Sequence, residues 1–276
     1  MLLQRILTAV VLLALALPAI FLAPVWVWGL FSLAFLAVGA AEWSRLLSPA
    51  GAPLRSALSL LAAGGLLLAL REMGLVRPLH LSPILIAASV YWIAFAWRRL
   101  RLHDARPGRW PLAALLLLAC WLALYELRSL GPEVLLVAMA IVWIADIGAY
   151  FAGKAFGRRK LAPSISPGKT WEGAASGAVL VIVIGALAAL HDGLVLALPA
   201  RLHEQLGAFA GSMILGGIVA LSIIGDLHES LLKRQAGVKD SGRSLPGHGG
   251  VLDRIDALIP VLPIAMLGLL FLGPTR

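Results

Sequence analysis

The sequence predicts an all-α, polytopic integral membrane protein, and two observations lead to that prediction. Of the 276 residues, 61% are hydrophobic and only 13% are charged, whereas a soluble domain carries about 25% charged residues. The apolar residues also gather into runs close to the roughly 20 residues that a helix needs to cross a bilayer. One water-soluble core cannot bury this surplus, so we expect about nine transmembrane helices.

The predicted spans follow one another with short connections. The first begins after Arg5, and we expect an uncleaved helix rather than a signal peptide, because the apolar run continues through Trp26 into a second span. The apolar stretch 193–200 is too short to cross a bilayer and is predicted to be a connecting or interfacial piece. The spans are 6–22, 25–41, 55–70, 81–97, 111–127, 133–152, 173–190, 206–227 and 252–272.

The sequence contains no internal repeat or linker, so we expect one membrane domain over residues 1–276. We divide it into N-terminal spans over 1–130 and catalytic spans with cytoplasmic loops over 131–276. The single cysteine, Cys120, lies in an apolar run. It therefore excludes an intrachain disulfide or a cysteine metal cluster, and we predict a buried core residue.

The basic residues predict how the chain is oriented. With the N-terminus in the cytoplasm, 18 of the 23 Lys and Arg residues fall in cytoplasmic segments and 5 on the other side. This bias is typical of membrane proteins and places the polar C-terminal loops in the cytoplasm. It also explains the net charge of +9 better than nucleic-acid binding does. We therefore expect an inner (plasma) membrane protein and no nucleic-acid partner.

The acidic residues are distributed differently. Seven of the 14 lie in or beside two C-terminal basic loops. A carboxylate inside an apolar helix is costly and is a functional candidate by default. Asp146 and Asp226 both stand in such apolar surroundings, so the C-terminal half is predicted to hold the chemistry.

The first polar segment, residues 154–173, brings together five cations, two serines and a threonine. These donors suit a polyanion such as a nucleoside triphosphate. A basic cytoplasmic loop would by itself explain the cations at 158–160, but it explains Ser164, Ser166 and Lys169 less well.

The same segment is not a P-loop, because Pro163 stands where the motif requires its first glycine. Just beyond the loop, Gly173 and Gly177 form a small-xxx-small pair at the start of the seventh span. Such a pair predicts close helix packing rather than chemistry.

The second polar segment runs from Gly225 to Asp256. If a helix continues past Asp226, three polar side chains fall on about the same face of it. These are Ser230, Lys233 and Arg234. The glycine-rich turn 246–250 is flexible enough for backbone N–H groups to approach an anion at a helix N-terminus.

Three carboxylates in this segment predict a metal site. Mg²⁺ prefers oxygen ligands and usually binds between a few carboxylates and substrate phosphates. Asp226, Asp253 and Asp256 supply such oxygens, although Asp253 and Asp256 also suit the general preference of helix starts for acids. His248 is either a phosphate donor or a loop residue, and the sequence favours neither.

The second segment resembles the signature of the phosphatidate cytidylyltransferase (CDP-diglyceride synthase) family. The similar residues are Ser230-x-x-Lys233-Arg234-x₄-Lys239-Asp240-x₅-Pro246-x-His248-Gly249-Gly250-x-x-Asp253-Arg254-x-Asp256. Two upstream motifs are also similar, namely Asp146-x-Gly148-Ala-Tyr150 and Ser164-x-Ser166-Pro-x-Lys169-Thr-Trp171-Glu172-Gly173. The resemblance is strong from about 143 to 262, and the first 130 residues share only their apolar character.

This resemblance implies that CTP and phosphatidate react to CDP-diacylglycerol and pyrophosphate in a bacterial inner membrane. It also implies Mg²⁺, K⁺ as a second cation, and a homodimer. By position, Asp226, Asp253 and Asp256 would bind metal, with Asp226, Asp253, Lys233 and Lys239 as catalytic residues. The substrate-binding residues would be Ser164, Ser166, Lys169, Ser230, Arg234, His248 and Arg254.

Two alternatives stay open from the sequence. One is an enzyme that uses CTP on a polyprenol or isoprenoid-ether lipid, because the signature reads the nucleotide and phosphates rather than the lipid tails. The other is a transporter or lipid-binding scaffold, since transporters also place carboxylates in membranes. A transporter would not need so many Lys, Arg, Ser and Asp residues on one cytoplasmic face.

Overall fold

The computed structural model describes residues 2–48, 51–105 and 109–272. Its helices are α1 (Leu2–Phe21), α2 (Val25–Leu47), α3 (Pro53–Glu72), α4 (Ser82–Val90), α5 (Trp97–Arg101), α6 (Arg109–Leu130), α7 (Pro132–Phe156), α8 (Trp171–Ala188), α9 (Leu198–Gln235), α10 (Leu252–Ile255) and α11 (Leu258–Phe271). A π-helical segment, Tyr91–Ala96, joins α4 to α5, and short 3₁₀ helices cover Pro78–Leu81 and Asp192–Leu194. Strands β1 (Lys160–Ala162) and β2 (Ser166–Thr170) form an antiparallel hairpin.

The all-α membrane architecture predicted from the sequence is confirmed. Within the described residues, seven helical segments are long and apolar enough to cross a membrane, and two apolar helices, Ile6–Phe21 and Leu258–Phe271, are shorter. Each of the nine predicted spans falls on one of these segments. The basic residues Arg106 and Arg276, which enter the charge count, lie outside the described residues, as do the side chains of Arg5 and Arg109.

Two predicted boundaries differ from the structure. The last span, predicted as one helix over 252–272, is broken between α10 and α11, which leaves Asp256 in the link. The connecting piece predicted over 193–200 overlaps the start of α9, because that helix already begins at Leu198. A kink at Gly207 separates this first part of α9 from the rest of the helix. Gly207 has a φ of 81°, which glycine adopts without the penalty of a side chain.

Side-chain contacts divide the molecule into two ends. At one end the N-terminal helix reaches the 240–251 loop, where Thr8 Oγ1 donates to Pro246 O at 2.8 Å. At the other end Arg71 makes a two-pronged ion pair with Glu126, with N–O distances of 2.6 and 2.9 Å. The loop of the C-terminal half therefore contacts the N-terminal helix, whereas Arg71 and Glu126 join two of the N-terminal spans. Both halves share one buried core.

The predicted packing role of Gly173 and Gly177 is confirmed. A Cβ built on Gly177 would lie 2.5 Å from the backbone O of Ala145, and one on Gly173 would lie 2.7 Å from that of Ala149. Both distances are shorter than a carbon can approach an oxygen, so α7 and α8 contact each other backbone to backbone. This contact forms one wall of the candidate site.

We predict that Gly177→Ala destabilises the protein by about 1–3 kcal/mol, because the added methyl group overpacks the α7–α8 contact. Thermal unfolding in detergent micelles measures the effect. Gly65→Ala in α3 is the matched control, since a Cβ there meets no atom within 4 Å and alanine favours a helix. Equal melting temperatures for the two variants would contradict the close approach.

Candidate active site

A polar cavity of about 500 Å³ lies between α7, the hairpin, α8 and α9. Its charged and hydroxyl-bearing walls include Asp146, Ser166, Lys169 and Asp226. Lys169 Nζ lies 2.6 Å from Asp226 Oδ2, and Ser230 Oγ donates to Asp226 Oδ1 at 3.2 Å. The structure therefore brings together residues from both polar segments of the sequence around Asp226.

Hydrogen bonds at the base of the hairpin hold it against α8. The Glu172 carboxylate, in the first turn of α8, accepts the backbone N–H groups of Arg158 and Arg159 at 3.1–3.2 Å. The Thr170 side chain caps α8 by accepting the N–H of Gly173 at 3.2 Å. A capped helix start therefore fixes where Ser166 and Lys169 enter the polar cavity.

Asp226 and Asp256 are brought together by a close approach of two backbones. A Cβ on Gly225 would lie 2.6 Å from the backbone O of Asp256 and 2.7 Å from Pro260 Cγ. Asp256 lies in the link between α10 and α11, where burial and then the negative charge of Asp226 raise the pKa of its carboxyl. The close approach of the two backbones therefore makes Asp226 and Asp256 neighbours.

Lys233 lies in a buried ionic network rather than at a cavity wall. Its Nζ is 2.5 Å from Glu229 Oε2 and 2.6 Å from Asp253 Oδ1, and its side chain is only 15% exposed. Asp253 Oδ2 accepts the backbone N–H groups of Ser241 and Gly250 at 2.9 and 2.8 Å. Burial alone would raise the pKa of Asp253, but the Lys233 ion pair and these N–H groups lower it.

Glu42, on α2, is the second carboxylate that holds the 240–251 loop. It is only 1% exposed, and its oxygens accept four hydrogen bonds. The donors are the hydroxyls of Ser241 and Ser244 and the backbone N–H groups of Val251 and Leu252, at 2.7–3.1 Å.

Backbone N–H groups at the end of the glycine-rich turn are bound to carboxylates. The sequence predicts that N–H groups near this turn approach a bound anion. In the structure, those of residues 250–252 are donated to Asp253 and Glu42. The anions that these three groups contact are therefore side chains of the protein itself, and phosphate binding at the turn stays a prediction.

Basic residues of the second polar segment line another cavity, which we call the loop cavity. It has a volume of about 780 Å³, and Lys239, Arg243, His248 and Arg254 line it. Arg254 donates from Nε and Nη2 to the backbone O of His248 at 3.1 and 2.7 Å. Arg234 instead points to the hairpin, where its Nε donates to Ile165 O at 3.4 Å. The predicted phosphate-binding residues thus do not form a single cluster.

Ser164 and Ser166 also separate. Ser166 lines the polar cavity, whereas Ser164 lines a neighbouring apolar cavity of about 520 Å³. The Ser164 hydroxyl lies 2.9 Å from His103 Nε2. Gln235 joins His103 to the end of α9, because its Nε2 donates to His103 O at 2.6 Å.

The donor set of the predicted metal site suits Mg²⁺ that arrives with a phosphate substrate. In the described ranges, no group of three His, Cys, Asp or Glu side chains is arranged to hold a metal ion. Asp253 is engaged with Lys233, so Asp226 and Asp256 are the two predicted ligands that would remain to hold a cation. Mg²⁺ commonly uses one or two carboxylates and completes its shell with substrate phosphates and water.

Two residues of the network, Glu42 and Glu229, are not among the site residues predicted from the sequence. The signal that singled out Asp146 also applied to Glu42, because Gly39-Ala-Ala-Glu42-Trp43 is an otherwise uncharged stretch. No local pattern reveals that Glu42 contacts a loop about 200 positions away.

Comparisons with known proteins agree with the resemblance read from the motifs. A sequence profile described as "Cytidylyltransferase family" matches residues 3–272. A Pseudomonas aeruginosa protein named phosphatidate cytidylyltransferase is 41% identical over 272 residues, which cover 96% of this chain and 95% of that protein.

Two further relatives carry the same name. The Brucella suis protein is 36% identical over 286 residues, which cover 98% of this chain and 94% of the relative. The Bacillus subtilis protein is 41% identical over 155 residues, which cover 55% of this chain and 54% of the relative. The similarity therefore extends through the N-terminal spans, beyond the region of the sequence motifs.

We predict that Glu42→Gln loosens the 240–251 loop while the helices stay folded. A neutral amide cannot accept all four hydrogen bonds, and hydrogen bonds to a charged group contribute about 1.5–3 kcal/mol. Trypsin should then cut after Lys239 and Arg243 at least about tenfold faster, because cleavage follows the population of the open loop.

Asp192→Asn, which removes an exposed carboxylate outside this network, is the control for the change in charge. Size-exclusion chromatography checks that both variants remain folded. A cleavage rate for Glu42→Gln equal to that of the control would show that Glu42 does not hold the loop.

Proposed function

The chain belongs to the cytidylyltransferase family, and we propose that it is a phosphatidate cytidylyltransferase. In this reaction a phosphate oxygen of phosphatidate forms a bond to the α-phosphorus of CTP. The bond from that phosphorus to the bridging α–β oxygen breaks, so that CDP-diacylglycerol forms and pyrophosphate leaves. The observation that supports this most is the similarity over 96% of the chain to a relative of that name.

The site has the chemistry that such a transfer needs. A phosphomonoester has a second pKa near 6, so the attacking oxygen is largely ionised at neutral pH and needs no strong base. The protein must then position two polyanions and offset their charge. Lys169 at the polar cavity and Lys239, Arg243 and Arg254 at the loop cavity supply positive charge for this purpose.

Lys169 is the cation best placed to respond to a nucleotide. Its ammonium group lies against Asp226, and a phosphate in the polar cavity offers an alternative partner at short range. Ser166 contributes a hydroxyl donor in the same cavity. Lys233, by contrast, forms ion pairs with Glu229 and Asp253, so we assign it the role of holding the 240–251 loop in place.

We assign Mg²⁺ to Asp226 and Asp256, with Asp253 as the third carboxylate implied by the resemblance. Bound there, Mg²⁺ would offset negative charge on the phosphates and on the departing pyrophosphate. K⁺ as a second cation stays a prediction from the resemblance. The homodimer also stays a prediction from the resemblance, and the absence of a nucleic-acid partner stays a prediction from the charge distribution.

We also propose that the protein resides in the bacterial inner membrane with its site on the cytoplasmic side. The charge bias of the sequence supports this orientation. The hairpin, the end of α9 and the 102–105 segment all contact one another, so the basic loops gather at one end of the molecule, where CTP is available.

We predict that Asp226→Asn abolishes Mg²⁺-dependent formation of CDP-diacylglycerol. Asn keeps the shape of the side chain but removes the charge that pairs with Lys169 and Mg²⁺. Purified protein in detergent is incubated with labelled CTP, phosphatidate and Mg²⁺, and both CDP-lipid and pyrophosphate are quantified.

The matched control is Asp192→Asn, which should retain wild-type turnover. Near-normal turnover of Asp226→Asn would contradict the role of this carboxylate. Absence of CDP-lipid with the wild-type protein would contradict the proposed function and favour a transporter or scaffold.

A labelling experiment tests the orientation. Cys120 is the only cysteine and is buried, so it gives little background. We predict that Met73→Cys reacts with a membrane-impermeant maleimide in intact cells, after permeabilisation of the outer membrane where there is one. Lys160→Cys should react only after the inner membrane is opened. The reverse pattern would overturn the cytoplasmic placement of the site.

A further inference from the structure

We propose that the apolar cavity binds an acyl chain of the lipid substrate and that Arg101 at its mouth contacts the anionic headgroup. This inference rests on the proposed function and adds to it the place of the lipid. The cavity lies between α5, the hairpin, α8 and α9, and its volume of about 520 Å³ is within the roughly 300–1,000 Å³ usual for ligand sites.

The walls of the apolar cavity suit a hydrocarbon chain. Most of them are aliphatic or aromatic side chains from the three helices, such as Trp97, Leu100, Ile223 and Leu227. Because α8 and α9 are spanning segments, a chain in this cavity stays at membrane depth. Burial of each methylene contributes about 0.8 kcal/mol, which is a sufficient driving force for a long chain.

Three polar residues line the cavity, namely Arg101, His103 and Ser164. His103 contacts Ser164, with 2.9 Å between Nε2 and Oγ, and Arg101 is two residues away at the end of α5. The Arg101 guanidinium lies over the Trp97 ring, 4.9 Å from its centroid. A cation, an imidazole and a hydroxyl at the mouth of an apolar cavity match a phosphate attached to a hydrocarbon chain.

The two neighbouring cavities then separate the two substrates. Leu161, Ala174, Val219 and Ile223 line both the polar and the apolar cavity. A lipid in the apolar cavity therefore has its phosphate beside the cavity that holds Lys169 and Asp226. In this arrangement Ser164 contacts the lipid phosphate, whereas the sequence predicts that it contacts the nucleotide.

Two small, exposed residues line the apolar cavity. Ala175 on α8 and Ala220 on α9 line the cavity and are exposed. Their methyl groups leave room at this point, and a large side chain at either position would obstruct the cavity. Ala175 is therefore the position where the inference is tested most directly.

The first experiment compares Ala175→Trp with Val183→Trp, an exposed position two turns along α8 that does not line the cavity. KM is measured for dipalmitoyl and dihexanoyl phosphatidate and for CTP. We expect Ala175→Trp to raise KM for the dipalmitoyl lipid about tenfold or more, since about two unburied methylenes account for that factor. KM for the dihexanoyl lipid and for CTP should change much less.

A second pair of variants tests the headgroup contact. Arg101→Gln should raise KM for both phosphatidates about tenfold, as expected for one lost charge-assisted hydrogen bond, and leave KM for CTP unchanged. Arg98→Gln, on the same helix but away from the cavity, makes the same change in charge and should retain wild-type values. An increase in KM for CTP alone would assign Arg101 to the nucleotide and overturn this part of the inference.

A crosslinking experiment on the wild-type protein keeps the inference testable if a variant does not fold. Phosphatidate with a diazirine near the end of one acyl chain is irradiated in detergent micelles, and labelled peptides are identified by mass spectrometry. Labels on residues 216–227 of α9 or 171–178 of α8 are expected. If the wild-type protein forms CDP-diacylglycerol but the labels lie elsewhere, the acyl-chain site alone is overturned. If it forms no CDP-diacylglycerol, the proposed function is overturned.

Discussion

The buried carboxylate of Glu42 is the interaction on which the candidate site depends. The 240–251 loop contains almost no regular secondary structure, yet it carries cations of the loop cavity and leads into α10. Glu42 accepts four hydrogen bonds from residues 241–252, and Asp253 accepts two backbone N–H groups within the same loop. Because an unpaired carboxylate is very unfavourable in a buried position, the loop conformation and the burial of Glu42 stabilise each other.

This constraint explains why the charged residues divide into two groups. In the interior, Glu42 and Asp253 accept backbone N–H groups of the loop, and Lys233 forms ion pairs with Glu229 and Asp253. Lys169, Asp226 and Asp256 lie next to them but keep partly exposed or repelling charges, so they can respond to a ligand. The hydrogen bonds to Glu42 and Asp253 fix the backbone of the loop, whereas Lys169 and Asp226 line a cavity.

Close backbone contacts give the site its shape. Glycines bring α7 against α8, and Gly225 brings α9 against Asp256, since a side chain at those positions would push the helices apart. The hairpin, α8 and α9 line both cavities, which share Leu161, Ala174, Val219 and Ile223. With the lipid site proposed above, a charged water-soluble substrate and a lipid would meet across this shared wall.

The sequence by itself determined the class of protein, the approximate position of every span and the segments that hold the chemistry. These features depend on composition and on local patterns, because the bilayer requires long apolar helices and penalises isolated charges. Only the tertiary structure decided how the polar residues are grouped. It tied Glu42 to a loop about 200 positions away, placed Lys233 in the interior network, and separated Ser164 from Ser166. Local sequence cannot reveal these contacts, because the direction of a side chain depends on which helices pack together and how closely their backbones approach.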